Sequence, residues 1–425
     1  MALSDTHTRT RPDHRHPLAA LHDPGTIRLR CAAVLRSVEA GVSASFLLDR
    51  SRLADAAERV ATLTKKRFPD LKTPYHSRWR HFEAGGLDRK AEMDTLLAGR
   101  SPAEQARARF DLTVVSVLLD AGAGPRWSYT EDGSGQKFGR SEGLGVASFR
   151  AFMEGLFSAT DGDPLRADAS VLARVDASVL RRVFRSGADN PMVGLEGRAA
   201  LISRLGETLQ EVAALTGVPG RPGLIYDRLT AKGTRTEVSA AAVLRELLLT
   251  LSPIWPSGSR VLGLPAGDVW PHRWAGMDAA GGPDRMTEGY VPFHKLSQWM
   301  SYSLLEPLQW AGVTVTGLDA LTGLPEYRNG GLLLDTGVLV PRDVRLASRT
   351  WKPSDEFIVE WRACTVALLD ELAVLVRERL GMGAEQLPLA CILEGGTWAA
   401  GREIALEKRE GGTPPLRIDS DGTVF

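Results

Sequence analysis

The chain of 425 residues has only three cysteines, no excess of charge of either sign and no long apolar run. Cys31, Cys364 and Cys391 lie far apart, so they form neither a metal-ligand spacing nor an even-numbered disulfide framework. Lysine plus arginine and aspartate plus glutamate each number 52, which leaves no net field that would attract nucleic acid or an anionic membrane. We therefore expect a cytoplasmic protein that binds neither.

Several motifs that mark catalytic sites are absent. The chain has no HExxH, CxxC or GxSxG, so it carries no signature of metal-assisted hydrolysis or of serine acyl transfer. The glycines of residues 125–139 are not followed by Gly-Lys-Ser/Thr and lack dinucleotide-binding spacing, so they do not predict a phosphate loop. We expect a protein without a bound metal or cofactor.

The N-terminal segment is polar. Its first 24 residues include four of the eight histidines but lack the apolar run of a signal peptide or membrane span. We interpret residues 1–26 as a disordered arm in which His14 and His16, with no third ligand nearby in sequence, are solvated. Residues 27–425 contain no long linker, repeat or low-complexity block, which predicts a single helical domain.

Apolar residues recur at intervals of three or four over most of the chain, which predicts a mainly α, compact multi-helix fold. The last clear helix has its own boundary signals, with Ser354 as the predicted cap and Gly381 as the predicted end. One segment, 125–139, alternates in residue type around Asp-Gly-Ser-Gly, which predicts a small β-hairpin. The predicted helices are 28–40, 51–68, 102–120, 145–158, 197–215, 238–252, 285–310 and 355–380.

Residues 291–310, VPFHKLSQWMSYSLLEPLQW, place a lysine on a helix face together with aromatic residues. One interpretation is that Lys295 lays its apolar stem over aromatic surface and leaves its ammonium in water. The other is that Lys295 faces an anionic pocket, because five of the ten tryptophans lie between 255 and 310 and can wall one. At helical spacing the face consists of Lys295, Trp299, Tyr302 and Glu306.

Further charged and histidine residues stand in apolar or glycine-rich stretches. Each by itself is more often a structural ion pair or a helix cap than a site residue. Together they provide carboxylate, ammonium and guanidinium groups beside aromatic faces, which suits a small anionic, sugar-like ligand. The candidates are Arg78, Arg80, His81, Arg185, His272, Arg273, Lys295 and the triplet Glu326, Tyr327 and Arg328.

Four stretches, in the same order along the chain, resemble the queuosine-salvage proteins, which are helical N-glycosidases of queuosine 5'-phosphate and distantly similar to DNA glycosylases. FHKLSQWM at 293–300 resembles their FYKRAQxL helix, and EYRNGGLLLDTGVL at 326–339 resembles their DYRxPQxLxxLGVL without a gap. VFRSGADNPMVGLEGR and the hairpin around Trp127 resemble two further stretches. The resemblance places Lys295 on the motif lysine and Glu326 on the motif aspartate that serves catalysis.

A closer resemblance, over nearly the whole chain after the N-terminal arm, is to the uracil-catabolism protein 4 family. It rests on YHSRWRHFEAGG at 75–86, GDVWPH at 267–272 and CILEGGTWAAGR at 391–402. That family belongs to a pathway in which uracil is made into its nucleotide and the ring is opened, with urea as an eventual product. Glu326 in place of the queuosine family's aspartate, and Gly-Gly in place of its Pro-Gln, imply a different substrate.

Together the two resemblances imply an N-glycosidase that hydrolyses an N-ribosyl 5-phosphate, with ribosylurea 5-phosphate as the expected substrate. They imply Glu326 as the catalytic carboxylate, assisted by Lys295 and Tyr327. The alternatives are an amide hydrolase of the ring-opened pyrimidine nucleotide and a non-catalytic binding partner of the ring-opening enzyme. The balanced charge disfavours a DNA-glycosylase-like binder of nucleic acid, and the oligomeric state stays open. The expected substrate-binding residues are Trp127, Arg328, Arg185, Arg80, His81, His272, Arg273, His294 and Trp299.

Overall fold

The computed structural model describes residues 18–255, 259–276 and 286–419. Within these ranges the chain is mainly helical, which confirms the predicted fold class. The helices are α1 Pro24–Glu39, α2 Leu53–Arg67, α3 Trp79–Phe82, α4 Arg89–Leu97, α5 Pro102–Leu118, α6 Arg140–Met153, α7 Ala169–Leu172, α8 Ala177–Val183, α9 Leu195–Thr216, α10 Leu224–Leu229, α11 Ala240–Leu251, α12 Lys295–Trp310, α13 Tyr327–Asp335, α14 Arg345–Ser348, α15 Glu356–Leu380, α16 Leu389–Ile392 and α17 Trp398–Lys408.

Short strands pair two at a time, and no larger sheet forms in the described ranges. They are β1 Phe46–Leu48, β2 Ser128–Thr130, β3 Lys137–Gly139, β4 Glu237–Ser239, β5 Arg260–Val261, β6 Leu264–Pro265, β7 Val269–Pro271, β8 Tyr290–Pro292, β9 Thr314–Thr316, β10 Leu339–Pro341, β11 Thr350–Trp351 and β12 Arg417–Ile418. The antiparallel pairs are β1–β10, β2–β3, β5–β6 and β7–β8, and the parallel pairs are β4–β9 and β11–β12. The β2–β3 pair confirms the predicted hairpin.

Each predicted helical segment contains a helix, but several predicted boundaries are wrong. The helix predicted over 145–158 runs from Arg140 to Met153. The helix predicted over 285–310 begins only at Lys295, because β8 pairs with β7 before it; residue 285 itself lies outside the described ranges. Ser354 does not cap α15, since Asp355 occupies the N-cap position and accepts the backbone N–H of Lys352 at 2.8 Å. Gly381 ends α15 in the left-handed conformation, as predicted.

Helix α15 is buried along most of its length, and α1, α2 and α13 pack on it. A helix that is buried along most of its length forms the centre of a core. Helix α12 packs on α5 and α11, and α13 packs on α17. In the part of the chain that the structure describes, no helix is long and apolar enough to cross a membrane.

Two glycines allow α13 to lie close against its neighbours. A Cβ at Gly330 would approach the indole of Trp361 to 2.6 Å, and a Cβ at Gly401 in α17 would overlap the carbonyl oxygen of Arg328. Trp361 also donates its Nε1–H to the carbonyl oxygen of Gly330 at 3.1 Å. Helix α13 is therefore fixed on two sides, close to the residues that begin it.

The predicted N-terminal arm is described only in part, since residues 1–17 lie outside the described ranges. Leu18 and Leu21 are fully buried in a small cluster with Val269. Helix α1 begins at Pro24, which is an ordinary first residue for a helix. The described end of the segment is therefore packed on the protein.

Candidate active site

Glu326 is the N-cap of α13, and its carboxylate accepts two backbone N–H groups. Oε2 accepts from Arg328 and Oε1 from Asn329, both at 2.7 Å. The residue is 6% exposed. Burial raises the pKa of Glu326 above its ordinary value, while the two N–H donors and the ammonium of Lys295 act against this shift. Each oxygen keeps a further lone pair, so Glu326 is both a helix cap and a candidate acid–base group.

Lys295 is the first residue of α12, and its ammonium has no hydrogen bond or ion pair to any residue in the described ranges. The side chain is partly buried. Burial lowers the pKa of Lys295, and the carboxylates of Glu326 and Asp120 act against this shift. Among the neighbouring charges, that of Glu326 has the largest effect on the pKa of Lys295. The lysine therefore interacts electrostatically with Glu326, while the N–H groups of its ammonium remain available to a ligand.

Tyr327 and Arg328 follow Glu326 in the first turn of α13. The guanidinium of Arg328 lies over the Tyr327 ring, 4.6 Å from its centroid, and donates to the carbonyl oxygen of Gly412 at 3.3 Å. Arg328 is buried, and its Nε has no hydrogen-bond partner in the described ranges. Burial raises the pKa of Tyr327, so its phenol is protonated at neutral pH and can donate a hydrogen bond.

A buried arginine borders this group from α3. Arg78 is fully buried, and its Nη1 lies 3.0 Å from Asp120 Oδ1. Its Nε donates to Ser116 Oγ at 2.7 Å, and Asp120 Oδ2 accepts from Ser141 Oγ at 3.2 Å. The guanidinium also lies 5.7 Å from the ring centroid of Trp299. Arg78 thus links α3, α5 and the start of α6 to the tryptophan that stands one helical turn after Lys295.

His81 and Trp299 meet edge to face, with ring centroids 5.8 Å apart. Arg78 donates to His81 Nδ1 at 3.2 Å, which places the proton of the neutral imidazole on Nε2. Burial and the Arg78 charge lower the pKa of His81 to about 3. His81 is therefore neutral at physiological pH and does not bring a cation to the site. The indole Nε1–H of Trp299 is buried and has no partner in the described ranges.

Arg140 is an exposed arginine that sequence reasoning missed. It begins α6 directly after the hairpin and holds a left-handed backbone conformation, with φ of 52°. Its charge acts on the phenol of Tyr327, and its side chain has no hydrogen bond or ion pair within 18–255, 259–276 and 286–419. A non-glycine residue with positive φ is strained, and such strain concentrates at functional sites.

Six predicted binding residues have partners outside the cluster around Glu326. Arg80 donates to Glu306 at 2.7 Å, Arg185 pairs with Asp132, and Arg273 pairs with Glu356 at 2.6 Å. His272 lies 3.4 Å from Glu360, the His294 ring bonds the carbonyl oxygen of Leu21, and Trp127 donates to the carbonyl oxygen of Phe184 at 2.9 Å. Their binding roles stay predictions. The residues that the structure does bring together are Glu326, Lys295, Tyr327, Arg328, His81 and Trp299.

Asp120, Asp268 and Arg362 also belong to this region and were missed by sequence reasoning. Asp268 stands inside the GDVWPH stretch, so the motif itself was a usable signal. Arg362 lies in a helix with regular apolar periodicity, where a charged residue is ordinarily assigned to the solvated face. Asp120 follows α5 without any distinguishing pattern, so only the folded chain reveals it.

A separate groove of about 320 Å³ opens between α12 and the segment before α16, lined by residues that include Tyr75, Glu306, Trp310 and Cys391. None of its lining residues belongs to the cluster around Glu326. Over the described ranges no three histidine, cysteine, aspartate or glutamate side chains are arranged to hold a metal ion. Metal-independent activity stays a prediction.

Comparisons with known proteins cover nearly the whole chain. Residues 20–425 match a family model described as Protein of unknown function (DUF1688). Protein urg3 of Schizosaccharomyces pombe is 39% identical over 407 residues, which are 94% of this chain and 96% of that protein. Uracil catabolism protein 4 of Lachancea kluyveri is 37% identical over 414 residues, covering 89% of this chain and 92% of that protein.

Proposed function

Because the chain belongs to the DUF1688 family and has a relative named for uracil catabolism, we propose that it is an N-glycosidase of uracil degradation. It hydrolyses an N-ribosyl 5-phosphate, most specifically ribosylurea 5-phosphate, to urea and ribose 5-phosphate. The observation that carries the proposal is a buried carboxylate, Glu326, which is held by two backbone N–H groups. Its charge acts on the ammonium of Lys295, which has no hydrogen bond or ion pair among the described residues. In such a pair the carboxylate can stabilise a positively charged transition state, and the ammonium can bind an anionic substrate.

The charge balance of the cluster supports a phosphorylated substrate. Each charged member influences the protonation of a neighbour in the same set, so the groups lie close enough to act together. The cations exceed the carboxylates by one, so the set is net positive, as an anionic phosphate requires. The cations are Arg78, Arg140, Lys295, Arg328 and Arg362, and the carboxylates are Asp120, Glu142, Asp268 and Glu326.

Glu326 performs the central step. As the bond between ribose C1 and the urea nitrogen breaks, positive charge develops on the sugar, and a nearby carboxylate stabilises it. Glu326 then accepts a proton from the water that attacks C1. Its raised pKa suits this task, because a general base works best when its pKa approaches the working pH.

The leaving nitrogen needs a proton, and the phosphate needs an anchor. Tyr327 holds its proton at neutral pH and donates a hydrogen bond to the departing urea, whose nitrogen receives the proton that Glu326 takes from the attacking water. Lys295 favours the ionised form of Glu326 and contributes to phosphate binding. Arg140 binds the phosphate, because it is the exposed cation of the set and its guanidinium has no partner among the described residues.

Purified protein incubated with ribosylurea 5-phosphate tests the proposal, with urea and ribose 5-phosphate both quantified. Equimolar release of the two products supports it. Cleavage of an amide bond in the ring-opened pyrimidine nucleotide, with ribosylurea 5-phosphate left intact, would instead identify an amide hydrolase. Tight binding of either compound without turnover would identify a non-catalytic binding partner.

Metal independence is tested in the same assay. The proposed steps use only side chains, so prolonged treatment with EDTA should leave turnover unchanged. A reversible loss of activity that zinc or manganese restores would contradict this part of the proposal.

A further inference from the structure

A buried ion pair connects the two chain segments that carry Lys295 and Glu326. Asp268 and Arg362 form a two-pronged contact, with Nη1 to Oδ1 at 2.8 Å and Nη2 to Oδ2 at 2.7 Å. The side chains are 11% and 1% exposed. Arg362 lies in α15, the buried central helix, while Asp268 lies just before β7. The pair is therefore a bridge between a hairpin and the core.

The Asp268 end of the bridge holds the start of α12. Its Oδ2 accepts the backbone N–H of Lys295 at 3.0 Å, and its carbonyl oxygen accepts the N–H of Phe293 at 2.9 Å. Its Oδ1 accepts the indole N–H of Trp270 at 2.7 Å. His294, between these contacts, has a positive φ of 47°. The turn that sets the direction of Lys295 is thus tied to one carboxylate.

The Arg362 end of the bridge holds the approach to α13. Its Nε donates to the carbonyl oxygen of Pro325 at 3.3 Å, and Pro325 directly precedes Glu326. The Arg362 guanidinium also lies 4.1 Å from the ring centroid of Phe293. One rigid guanidinium therefore contacts both the segment that leads into Lys295 and the segment that leads into Glu326.

We propose that the Asp268–Arg362 pair is a positioning unit that sets the distance between the Lys295 ammonium and the Glu326 carboxylate. Lys295 and Glu326 stand at the starts of two different helices, α12 and α13, so neither helix alone fixes the distance between them. A buried ion pair is weak evidence for stability, since an apolar pair of similar size is often as stable. Its fixed fork geometry does supply precise placement. The inference rests on the proposed function only in using its reaction as one readout.

Asp268→Asn is the main variant, and Asp111→Asn is its matched control. Asp111 is fully buried, accepts Arg221 Nε at 2.8 Å and accepts backbone N–H groups from Gly223 and Ala167. None of these partners belongs to the candidate site. Both variants should lose stability, so turnover is compared at a temperature where circular dichroism shows both to be folded.

Asp268→Asn should lower kcat about 100-fold, the scale expected when a catalytic group moves by about 1 Å, with a much smaller change in KM. Asp111→Asn should keep its turnover. Arg362→Lys keeps the charge but loses the two-pronged contact, so it should show the same loss of kcat. It provides the test if Asp268→Asn does not fold. A kcat for Asp268→Asn within twofold of the wild type, or an equal loss in Asp111→Asn, would overturn the positioning role.

Crystal structures of the wild type and of Asp268→Asn provide a readout that does not depend on the reaction. The distance between Lys295 Nζ and the Glu326 carboxylate should differ between the two structures by about 1 Å, the displacement that corresponds to the expected loss of kcat. An unchanged distance would overturn the inference. If the wild-type protein hydrolyses none of the proposed substrates, the proposed function fails, and this measurement still decides whether the pair positions the two residues.

Discussion

The carboxylate of Glu326 accepts the backbone N–H of Arg328, so the proposed catalytic group also caps the helix that carries its neighbour. With both carboxylate oxygens occupied by N–H donors, any neutral replacement disturbs structure and chemistry together. A loss of activity in a single variant is therefore ambiguous. The two roles separate only when a pair of variants changes charge and position independently.

Glu326→Gln should lower kcat by roughly 10²- to 10⁴-fold, because an amide neither carries the negative charge that the transition state requires nor accepts the proton of water. It should also cost about 1 kcal/mol of unfolding free energy, since its NH₂ group opposes one of the two capping N–H donors. Turnover assays and urea denaturation measure the two effects.

Glu326→Asp is the control for that variant. Aspartate caps helices at least as well as glutamate, so stability should be kept, while the shorter side chain withdraws the charge from the substrate and should lower kcat about 10-fold or more. Wild-type turnover in the aspartate variant would show that the position of the carboxylate is not critical. More than about a third of wild-type turnover in the glutamine variant would assign Glu326 to capping alone.

Lys295→Met should move the acid limb of the kcat/KM profile to higher pH. The ammonium of Lys295 lowers the pKa of Glu326, so its removal raises the pKa at which the carboxylate takes up a proton and activity is lost. Lys295→Arg keeps the charge and should keep the limb near its wild-type position. A limb that stays in place in the methionine variant would show that the lysine does not act on the group that titrates.

The face shared by Lys295 and Trp299 was readable from the sequence because helical spacing alone puts residues four apart on one side. The residues that lie opposite that face could not be predicted from the sequence. Asp120 follows a helix far upstream and Arg362 lies far downstream, so their proximity to Lys295 depends on how α5 and α15 pack. Periodicity reports which face is buried but not what covers it.

The change from Pro-Gln to Gly-Gly after the Tyr-Arg pair was interpreted as a sign of a different substrate. The structure adds a packing cause, because Gly330 lies under the indole of Trp361 where a Cβ would approach to 2.6 Å. The binding roles of Arg185 and Arg273 stay predictions, and the structure adds a partner for each. Their local sequence is unusual, yet each has an acidic partner, Asp132 or Glu356, that sequence spacing does not reveal.

Arg140→Ala should lower kcat/KM for the phosphorylated substrate by roughly 10- to 100-fold, which corresponds to the 1.5 to 3 kcal/mol of a hydrogen bond to a charged group. The unphosphorylated ribosylurea should lose little. Arg185→Ala is the matched comparison, because Arg185 also has a positive φ but is paired with Asp132, and it should have a small effect. Equal losses on both substrates would exclude Arg140 as a phosphate ligand.

Gly401→Ala should destabilise the protein by roughly 1 to 3 kcal/mol, as overpacking does, even though alanine favours helices. The added methyl would overlap the carbonyl oxygen of Arg328 and push α13 away from α17. Gly122→Ala is the control, because a Cβ there meets no atom within 4 Å. Urea midpoints of the two variants measure the difference, and equal midpoints would contradict the close approach.

His81 should make the wild-type protein less stable as the pH falls from about 6.5 towards 3. The pKa of His81 is lowered to about 3 in the folded protein, by burial first and by Arg78 and His76 next, while Asp120 and Glu394 act against the shift. The unfolded chain keeps the ordinary histidine pKa of about 6.5. Between the two values only the unfolded state binds the proton, so the free energy of unfolding rises with pH by up to about 1.4 kcal/mol per pH unit.

His81→Asn removes this dependence while keeping an acceptor for Arg78, since the asparagine Oδ1 takes the place of Nδ1. Wild type and variant are unfolded with urea at several values between pH 4.5 and 7.5. The wild type should lose roughly 2 to 3 kcal/mol more than the variant over that range. A difference between the two proteins that stays constant with pH would mean that folded His81 takes up its proton normally. The ring would then be open to solvent rather than held neutral between Arg78 and Trp299.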